Sequence, residues 1–298
     1  MLTRRTIAAV LTSILMSTVA AAPAAAAKPT RPPDQPGGER ALTAEEQRAS
    51  DRKVAAAEAY AATVQSQGLD LVSLACVTPQ STTTSATTDA TTDASTQACG
   101  IPQGFLGVEA RDQVFGHYCG PAVGQVIANY SWAMKAGANK YTQGKIAGWM
   151  RTDATGQTDA PAMEDGLEAA TVNSPRRPSN WDWVVTDLRD RDSDGSTGDE
   201  LHSYVRSNIS VSRMPLAIPV KPHAFDSQFN LSSWPRPVAS PGHWIGIYGW
   251  YSTWNGGDTA RIYFTDSSRD EGGATGKFWN PTRHIAFLIG EHTRRFVW

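Results

Sequence analysis

Large aromatic side chains are confined to the part of this 298-residue chain that follows residue 100, apart from one tyrosine. Tyr60 is the only Phe, Trp or Tyr before Phe105, and all ten Trp residues lie at or after Trp132. Aromatic residues bury more apolar surface per side chain than other residues, so a large core forms most readily where they occur. We therefore place the functional domain at 100–298 and expect the preceding residues to be an accessory segment.

The first 27 residues have the three parts of an export signal. Arg4 and Arg5 supply the positive start, 7–16 is an apolar stretch, and Ala25-x-Ala27 is a small-residue cleavage site. An uncleaved membrane anchor is the alternative, which the Ser, Thr and Pro residues of the segment disfavour. We expect a signal peptide at 1–27 that is removed, and a mature chain that a bacterium secretes and that has no membrane association.

A single helix is predicted in the leader, 28–99. Thr43 and Glu46 match a capping box, in which the Thr43 hydroxyl accepts from the Glu46 N–H and the Glu46 side chain reaches back. The composition favours helix as far as Gln67, and Gly68 is suited to end it. The thin apolar face leaves three roles open: weak packing on a larger body, covering a cleft as a pro-segment, or spacing the domain from the cell surface.

A Ser/Thr-rich segment follows this helix. Eleven of the eighteen residues in 81–98 are Ser or Thr, and none is aromatic or a large aliphatic, so the segment cannot bury enough surface to fold. Cys76 and Cys99 bracket it. In an oxidising compartment we expect these two cysteines to form a disulfide, which stabilises by about 3 kcal/mol on chain-entropy grounds. Two free thiols are the alternative.

The balance of charges excludes one class of partner. The chain has 27 Lys and Arg against 29 Asp and Glu, a net charge of −2, and losing the two arginines of the signal moves it to −4. A nucleic-acid-binding protein typically carries an excess of basic residues, so we expect no nucleic-acid partner.

We expect a peptide or protein substrate, a possible association with the cell wall, and a monomer.

The third cysteine, Cys119, precedes a predicted helix. Gly120-Pro121 suits a helix start, because Pro in the first turn forfeits no hydrogen bond, and apolar residues recur at helical spacing as far as Met134. At a helix N-terminus the unpaired amides and the helix dipole favour the thiolate, which is the nucleophilic form. A buried structural cysteine at a helix start is the alternative.

A predicted hairpin brings a histidine close to an aspartate. Residues 242–250 and 260–266 are typical of strands, and Asn-Gly-Gly-Asp at 255–258 is typical of a turn. Pairing the two strands about that turn puts His243 opposite Asp266, to within about two residues of register. A carboxylate beside an imidazole fixes its tautomer and supports the imidazolium. A structural histidine with satisfied hydrogen bonds is the alternative.

The order of these motifs resembles a known family. Gln-x5-Cys-Gly-Pro-Ala from Gln113, then Gly-His-Trp-Ile-Gly-Ile-Tyr-Gly-Trp from Gly242, then Phe-Thr-Asp at 264–266, is similar to the papain-like bacterial cysteine peptidases of the bacteriocin-processing type, cysteine peptidase family thirty-nine. The resemblance covers residues 105–290 in order and spacing. Those peptidases sit on transporters with membrane and nucleotide-binding domains, which this chain does not show, so their leader-peptide substrate is not carried over.

The resemblance implies a role for each of four residues. Cys119 would be the nucleophile, His243 the general base and acid, and Asp266 the residue that orients His243. The side-chain amide of Gln113 would donate to an oxyanion hole. Since Gln113 precedes Cys119 by six residues, its amide is well placed to share that site with the Cys119 backbone N–H.

The implied fold is α+β and papain-like. A helical part that begins at Cys119 faces a twisted antiparallel sheet that carries His243 and Asp266, with the cleft between the two layers. We predict a secreted cysteine peptidase that works through an acyl-enzyme and needs no cofactor. The alternatives are a cell-wall cysteine endopeptidase or amidase, a transglutaminase-like acyl transferase, and a non-catalytic wall-binding module.

An acidic loop is a weak calcium candidate. Asp190, Asp192 and Asp194 match the opening of an EF-hand calcium loop. The bidentate glutamate should stand at the twelfth position, which is Leu201, whereas Glu200 comes one residue early. We interpret these residues as a surface acidic loop that caps a helix, rather than as a calcium site.

Overall fold

Helices pack against one antiparallel sheet in the computed structural model. It describes residues 41–66, 103–152, 158–189, 196–221, 230–234, 242–252, 260–268, 273–290, 292–293 and 295–298. The helices are α1 (Ala44–Ser66), α2 (Cys119–Ser131), α3 (Gln143–Met150), α4 (Ala160–Thr171), α5 (Ser196–Ser207) and α6 (Thr282–Gly290), with a π-helical turn at Asn208–Ser212. The strands are β1 (Gln103–Phe105), β2 (Val185–Asp187), β3 (Leu216–Val220), β4 (His243–Tyr251), β5 (Arg261–Asp266), β6 (Gly276–Pro281) and β7 (Arg295–Val297).

The sheet is antiparallel and is organised around β4. Its strand order is β2-β7-β3-β4-β5-β6, and β1 adds to β4 beyond the end of β3. The ladder between β4 and β5 pairs Gly246 with Thr265 and Ile247 with Phe264, and a bulge follows before Gly249. The pairing therefore sets the first residues of β4 beside the last residues of β5. The α+β arrangement of helices and antiparallel strands agrees with the predicted fold class.

Alternation along β4 divides the core into two clusters. Successive side chains of a strand point to opposite faces of its sheet. Trp244 packs with residues of α2, α3 and α4 in one cluster, whereas Ile245 and Ile247 pack with residues of α1, α5 and α6 in the other. β4 therefore carries buried side chains on both faces, which is why its sequence is a nearly continuous apolar run.

The helix that begins at Cys119 starts where its sequence predicts but is shorter. Pro121 lies in its first turn, as expected. The predicted end at Met134 is wrong, because Ala133 adopts a left-handed conformation at φ 52°. The N–H groups of Ala133 and Met134 then donate back to carbonyls of the last helical turn, which is the closure of a Schellman motif.

The helix of the leader packs on the rest of the molecule. Its predicted capping box is confirmed: the Thr43 N–H donates to Glu46 Oε2 over 2.7 Å, and the Glu46 N–H donates to Thr43 Oγ1 over 3.2 Å. Val54 and Ala57 of this helix are buried in the core, and α1 contacts α5 and β2. All described residues belong to one compact unit, Glu39–Trp298. Of the three roles left open, packing on the larger body is the one these contacts support.

Several predicted features lie outside the described residues. These are the signal peptide at 1–27, the turn at 255–258, the cysteines Cys76 and Cys99 with the segment 81–98 between them, and the acidic loop of Asp190, Asp192 and Asp194. Within the described ranges, no helix is both long and apolar enough to cross a membrane.

Candidate active site

A buried histidine and a buried aspartate meet where β4 begins and β5 ends. His243 is the first residue of β4 and Asp266 the last of β5, and the pairing of Gly246 with Thr265 sets them diagonally across the ladder. His243 Nε2 lies 2.7 Å from Asp266 Oδ1. Their side chains are 5% and 0% exposed, so solvent screens this ion pair very little.

Three further groups donate to the Asp266 carboxylate. Ser233 Oγ donates to Oδ2 over 2.6 Å, Trp234 Nε1 donates to Oδ2 over 2.9 Å, and the Ser268 N–H donates to Oδ1 over 2.8 Å. Burial by itself would raise the pKa of Asp266, but the charge of His243 and these hydrogen bonds outweigh burial, so the pKa is lowered. Asp266 is therefore held as a carboxylate inside the protein.

The same pair stabilises the protonated form of His243. Burial by itself would lower the pKa of His243, but the attraction of Asp266 and hydrogen bonds to Asp266 and Cys119 outweigh burial and raise it to about 10. Because Nε2 faces Asp266, the other ring nitrogen, Nδ1, is left for Cys119. The Trp234 ring lies against the imidazole edge to face, with ring centroids 5.1 Å apart. The imidazole is thus oriented from two sides.

Cys119 is the first residue of α2 and carries a free, half-buried thiol. It faces His243, and its interaction with the imidazole helps to raise the pKa of His243. Tyr118, the residue that caps α2, makes no side-chain hydrogen bond to the first helical turn. The N–H groups at this end of α2 therefore have no side-chain acceptor from the cap residue, and a helix N-terminus of this kind favours a negative charge beside it.

Thr158 contacts both Gly120, which follows Cys119, and Trp244, which follows His243. The Thr158 carbonyl accepts from Trp244 Nε1 over 2.9 Å. A Cβ atom added at Gly120 would lie 2.8 Å from Thr158 Oγ1, so the backbone approaches this side chain more closely than any residue other than glycine allows. Thr158 therefore sets the spacing between the start of α2 and the start of β4.

Gln113 lies on the loop before α2, beside the residue that follows Asp266. Its N–H donates to the Ser267 carbonyl over 3.1 Å, and its side-chain Nε2 donates to the Gly116 carbonyl over 2.7 Å. The side chain is buried, and within the described part of the chain its Oε1 has no hydrogen-bond partner. The second Nε2 proton is not used in the Gly116 bond, so it remains for another acceptor.

The structure thus brings together residues that are distant in the chain. Cys119, His243 and Asp266 form a connected chain of polar contacts, and Gln113 is anchored to the backbone beside Asp266. The contacts of Ser233 and Trp234 are not foreseen from the sequence. No spacing rule links them to Asp266, because they reach it from a separate segment more than thirty residues earlier.

Two further histidines, His202 and His292, differ from His243. His202 is buried edge to face against Trp250, and desolvation by burial, together with the charge of Arg206, lowers its pKa to about 3. His292 is half-buried, and desolvation, together with the charge of Lys221, lowers its pKa to about 4. Both are therefore neutral at pH 7, which suits packing rather than stabilisation of an imidazolium.

No group of three or more metal-ligating side chains is found within the described ranges. The predicted calcium candidate lies outside them, but Glu200 is described. Its carboxylate accepts from the Arg189 N–H over 3.2 and 3.1 Å and from Tyr204 Oη over 2.7 Å. Leu201, at the twelfth position of the calcium pattern, is fully buried.

No protein family matches the chain by sequence, and no curated protein matches it. The resemblance to the bacteriocin-processing peptidases therefore stays a prediction. One similar solved structure is the proform of Amb a 11, a cysteine protease that is a major ragweed pollen allergen, with a TM-score of 0.37 and 13% identity. The alignment covers 68% of this chain and 66% of that chain.

Proposed function

We propose that this protein is a cysteine peptidase that hydrolyses peptide bonds through Cys119, His243 and Asp266. The observation that carries the proposal is the position of His243, whose Nε2 lies 2.7 Å from the buried carboxylate of Asp266 and whose charged form Cys119 also stabilises. A nucleophile, a base within hydrogen-bond reach, and a third group that orients the base are what covalent acyl transfer requires.

In the proposed first step, the Cys119 sulfur, paired with protonated His243, attacks the carbonyl carbon of the scissile bond. The carbonyl oxygen takes the negative charge, which the Cys119 N–H and the second Nε2 proton of Gln113 stabilise. The intermediate collapses as the imidazolium gives its proton to the leaving amine. A thioester between Cys119 and the acyl part of the substrate remains.

In the second step water replaces the amine. His243 takes a proton from the water as its oxygen attacks the thioester carbon. Collapse of the intermediate releases the carboxylic acid product and the Cys119 sulfur, which pairs again with protonated His243. Asp266 supports the imidazolium in both steps, and Ser233 and Trp234 hold Asp266 ionised and oriented.

The arrangement also supports a papain-like organisation for the fold. A helix that begins with the nucleophile lies on one side of the site, and an antiparallel sheet supplies the base and the orienting acid on the other. The order of motifs that resembles cysteine peptidase family thirty-nine is consistent with this organisation. The signal-like residues 1–27 lead us to propose a secreted, extracellular bacterial enzyme with a peptide or protein substrate.

Covalent labelling tests the chemistry. Full-length protein is incubated with a peptidyl epoxide probe that alkylates activated thiols, and the modified residue is mapped by mass spectrometry. We expect wild type to be labelled at Cys119, and Cys119→Ala to lose all labelling while keeping its melting temperature. An unlabelled wild type, or labelling that survives Cys119→Ala, contradicts the proposal.

The choice of substrate separates the peptidase from the cell-wall enzyme. Casein and purified peptidoglycan are digested in parallel with wild type and Cys119→Ala, and the products are identified by mass spectrometry. We expect new amino termini from casein with wild type alone. Release of muropeptides without cleavage of casein would assign the same triad to the cell wall, and incorporation of an added amine would indicate an acyl transferase.

A further inference from the structure

We propose that Gln143 is a positioning residue that holds the loop of Gln113 in register with the helix of Cys119. The inference rests on the proposed function, because it concerns the group assigned to the oxyanion. Gln143 is the first residue of α3 and lies thirty positions after Gln113. Its side chain is buried, although it is polar and belongs to no part of the triad.

The side-chain amide of Gln143 binds the backbone on both sides of Gln113. Gln143 Nε2 donates to the Asp112 carbonyl over 2.7 Å, and Gln143 Oε1 accepts from the Val114 N–H over 2.9 Å. One amide thus pairs with a carbonyl and an N–H two residues apart, as the backbone of a neighbouring strand would do. The pairing fixes the backbone from which the Gln113 side chain projects.

A second buried glutamine fixes the orientation of the Gln143 amide. Gln143 Nε2 donates to Gln125 Oε1 over 3.1 Å, and Gln125 Nε2 donates to the Tyr141 carbonyl over 2.7 Å. Turning the Gln143 amide over would bring its oxygen against the Asp112 carbonyl and the Gln125 oxygen, which are both acceptors. Gln125 lies on α2, six residues after Cys119. The two glutamines therefore connect the nucleophile helix to the loop of the oxyanion donor.

The loop has little apolar support of its own. Val114 and Phe115, which follow Gln113 directly, are 62% and 56% exposed and belong to neither core cluster. On its other side the loop is held by the bond from the Gln113 N–H to the Ser267 carbonyl. With its large apolar side chains exposed, the loop depends for its position on polar contacts, and Gln143 makes two of them.

A displaced oxyanion donor has a specific kinetic effect. Displacement of about 1 Å in a catalytic group lowers the rate by about 100-fold. Alkylation of the thiol by iodoacetamide forms no oxyanion, so the reaction does not use the donor. A peptide aldehyde adds reversibly to the thiol and forms a hemithioacetal whose oxygen occupies the oxyanion position. The two reagents therefore separate donor placement from reactivity of the sulfur.

The test compares Gln143→Met with wild type in the full-length protein. Met removes both backbone contacts and keeps a similar volume. We expect the affinity for a peptide aldehyde and the kcat for a peptide substrate to fall about 10- to 100-fold, with the iodoacetamide rate within about twofold of wild type. Gln125→Met keeps the contacts of Gln143 to the backbone, so we expect a smaller loss in the same direction.

Asn208→Leu is the matched control. Asn208 is also a buried amide that binds backbone carbonyls, but these carbonyls, of Met214 and Pro215, belong neither to the triad nor to the Gln113 loop. We expect this variant to have a lower melting temperature. The ratio of its peptide-aldehyde affinity to its iodoacetamide rate should equal that of wild type. If Gln143→Met does not fold, Gln125→Met supplies the comparison.

Two results would overturn the inference. One is unchanged aldehyde affinity and kcat in folded Gln143→Met and Gln125→Met. The other is an equal fall in the aldehyde and iodoacetamide reactions, because this would indicate general disorder rather than a displaced donor. A wild type that reacts with neither reagent would instead contradict the proposed function, so the two failures are distinguishable.

Discussion

Ser233 donates a 2.6 Å hydrogen bond to the Asp266 carboxylate from a segment thirty-three residues earlier in the chain. Both side chains are buried, so bulk solvent cannot replace the hydrogen bond to Asp266 if Ser233 loses its hydroxyl. A hydrogen bond to a buried charged group stabilises a protein by about 1–3 kcal/mol. The neighbouring Trp234 indole donates to the same carboxylate oxygen, so the two residues support the orienting acid together.

Ser233→Ala should lower the free energy of unfolding by about 1–3 kcal/mol and reduce kcat/KM for a peptide substrate. Both effects follow from an Asp266 carboxylate with one donor fewer. Urea denaturation and initial rates measure them. Ser203→Ala is the control, because Ser203 donates to the Asp199 carbonyl at the surface, and a change of no more than about 0.5 kcal/mol is expected there. Equal stability of the two variants would contradict the role of Ser233.

Asp266→Asn should lower kcat by about 10²- to 10⁴-fold. Without the carboxylate, burial prevails over attraction and the pKa of His243 falls from its raised value. The imidazolium is then lost at lower pH, so the basic limb of the profile of kcat/KM against pH should move to lower pH. Asp187→Asn, which removes the partner of Arg295 on the surface, should leave the profile in place. An unmoved basic limb in Asp266→Asn would show that Asp266 does not support the His243 charge.

Stability at acid pH should depend on His202. Burial lowers the pKa of folded His202 to about 3, whereas an unfolded histidine titrates near its ordinary value of 6.5. Between these values the unfolded chain binds a proton that the folded chain does not, so stability falls as the pH falls. His202→Gln cannot titrate and should show a smaller loss of urea midpoint between pH 7 and pH 4.5. His117→Gln, at a half-buried histidine, is the control, and an equal acid loss in all three proteins would refute the assignment.

Gly246→Ala should destabilise the pairing of β4 with β5 near the site. The added Cβ would lie 2.8 Å from Thr265 Oγ1 and 3.5 Å from Val123 Cγ1, so the residue before Asp266 would have to shift. Overpacking of this kind costs about 1–3 kcal/mol. Gly144→Ala in α3 meets nothing within 4 Å and should be neutral or slightly stabilising. Comparable melting temperatures for the two variants would argue against a tight contact at Gly246.

Val54→Ala should show that α1 is part of the folded unit. Val54 is buried in the core cluster that also contains residues of α5 and α6. Removing two buried methyl groups costs about 2 kcal/mol. Glu58→Ala, one turn later on the exposed side of α1, should change the unfolding free energy by less than about 0.5 kcal/mol. If Val54→Ala is as stable as wild type, α1 contributes nothing to the domain.

Features whose causes lie within a few residues could be predicted from the sequence. The capping box of Thr43 and Glu46 and the start of α2 at Cys119 each depend on groups one helical turn apart. The close approach of His243 and Asp266 follows from the period of two in a hairpin, because strand alternation limits the register. The end of α2 could not be predicted, since Ala133 adopts a left-handed conformation that its residue type does not favour.

The surroundings of the site were decided only by the tertiary structure. Ser233 and Trp234 reach Asp266, and Gln143 reaches the backbone beside Gln113, across more than twenty-five residues of chain. No local pattern marks such contacts, because a Ser, Trp or Gln side chain can bind any nearby backbone or carboxylate group. The sequence alone determined which residues have the chemistry to react and where the helix of Cys119 begins. Packing of α2, α3 and the sheet determined which buried polar groups hold them in place.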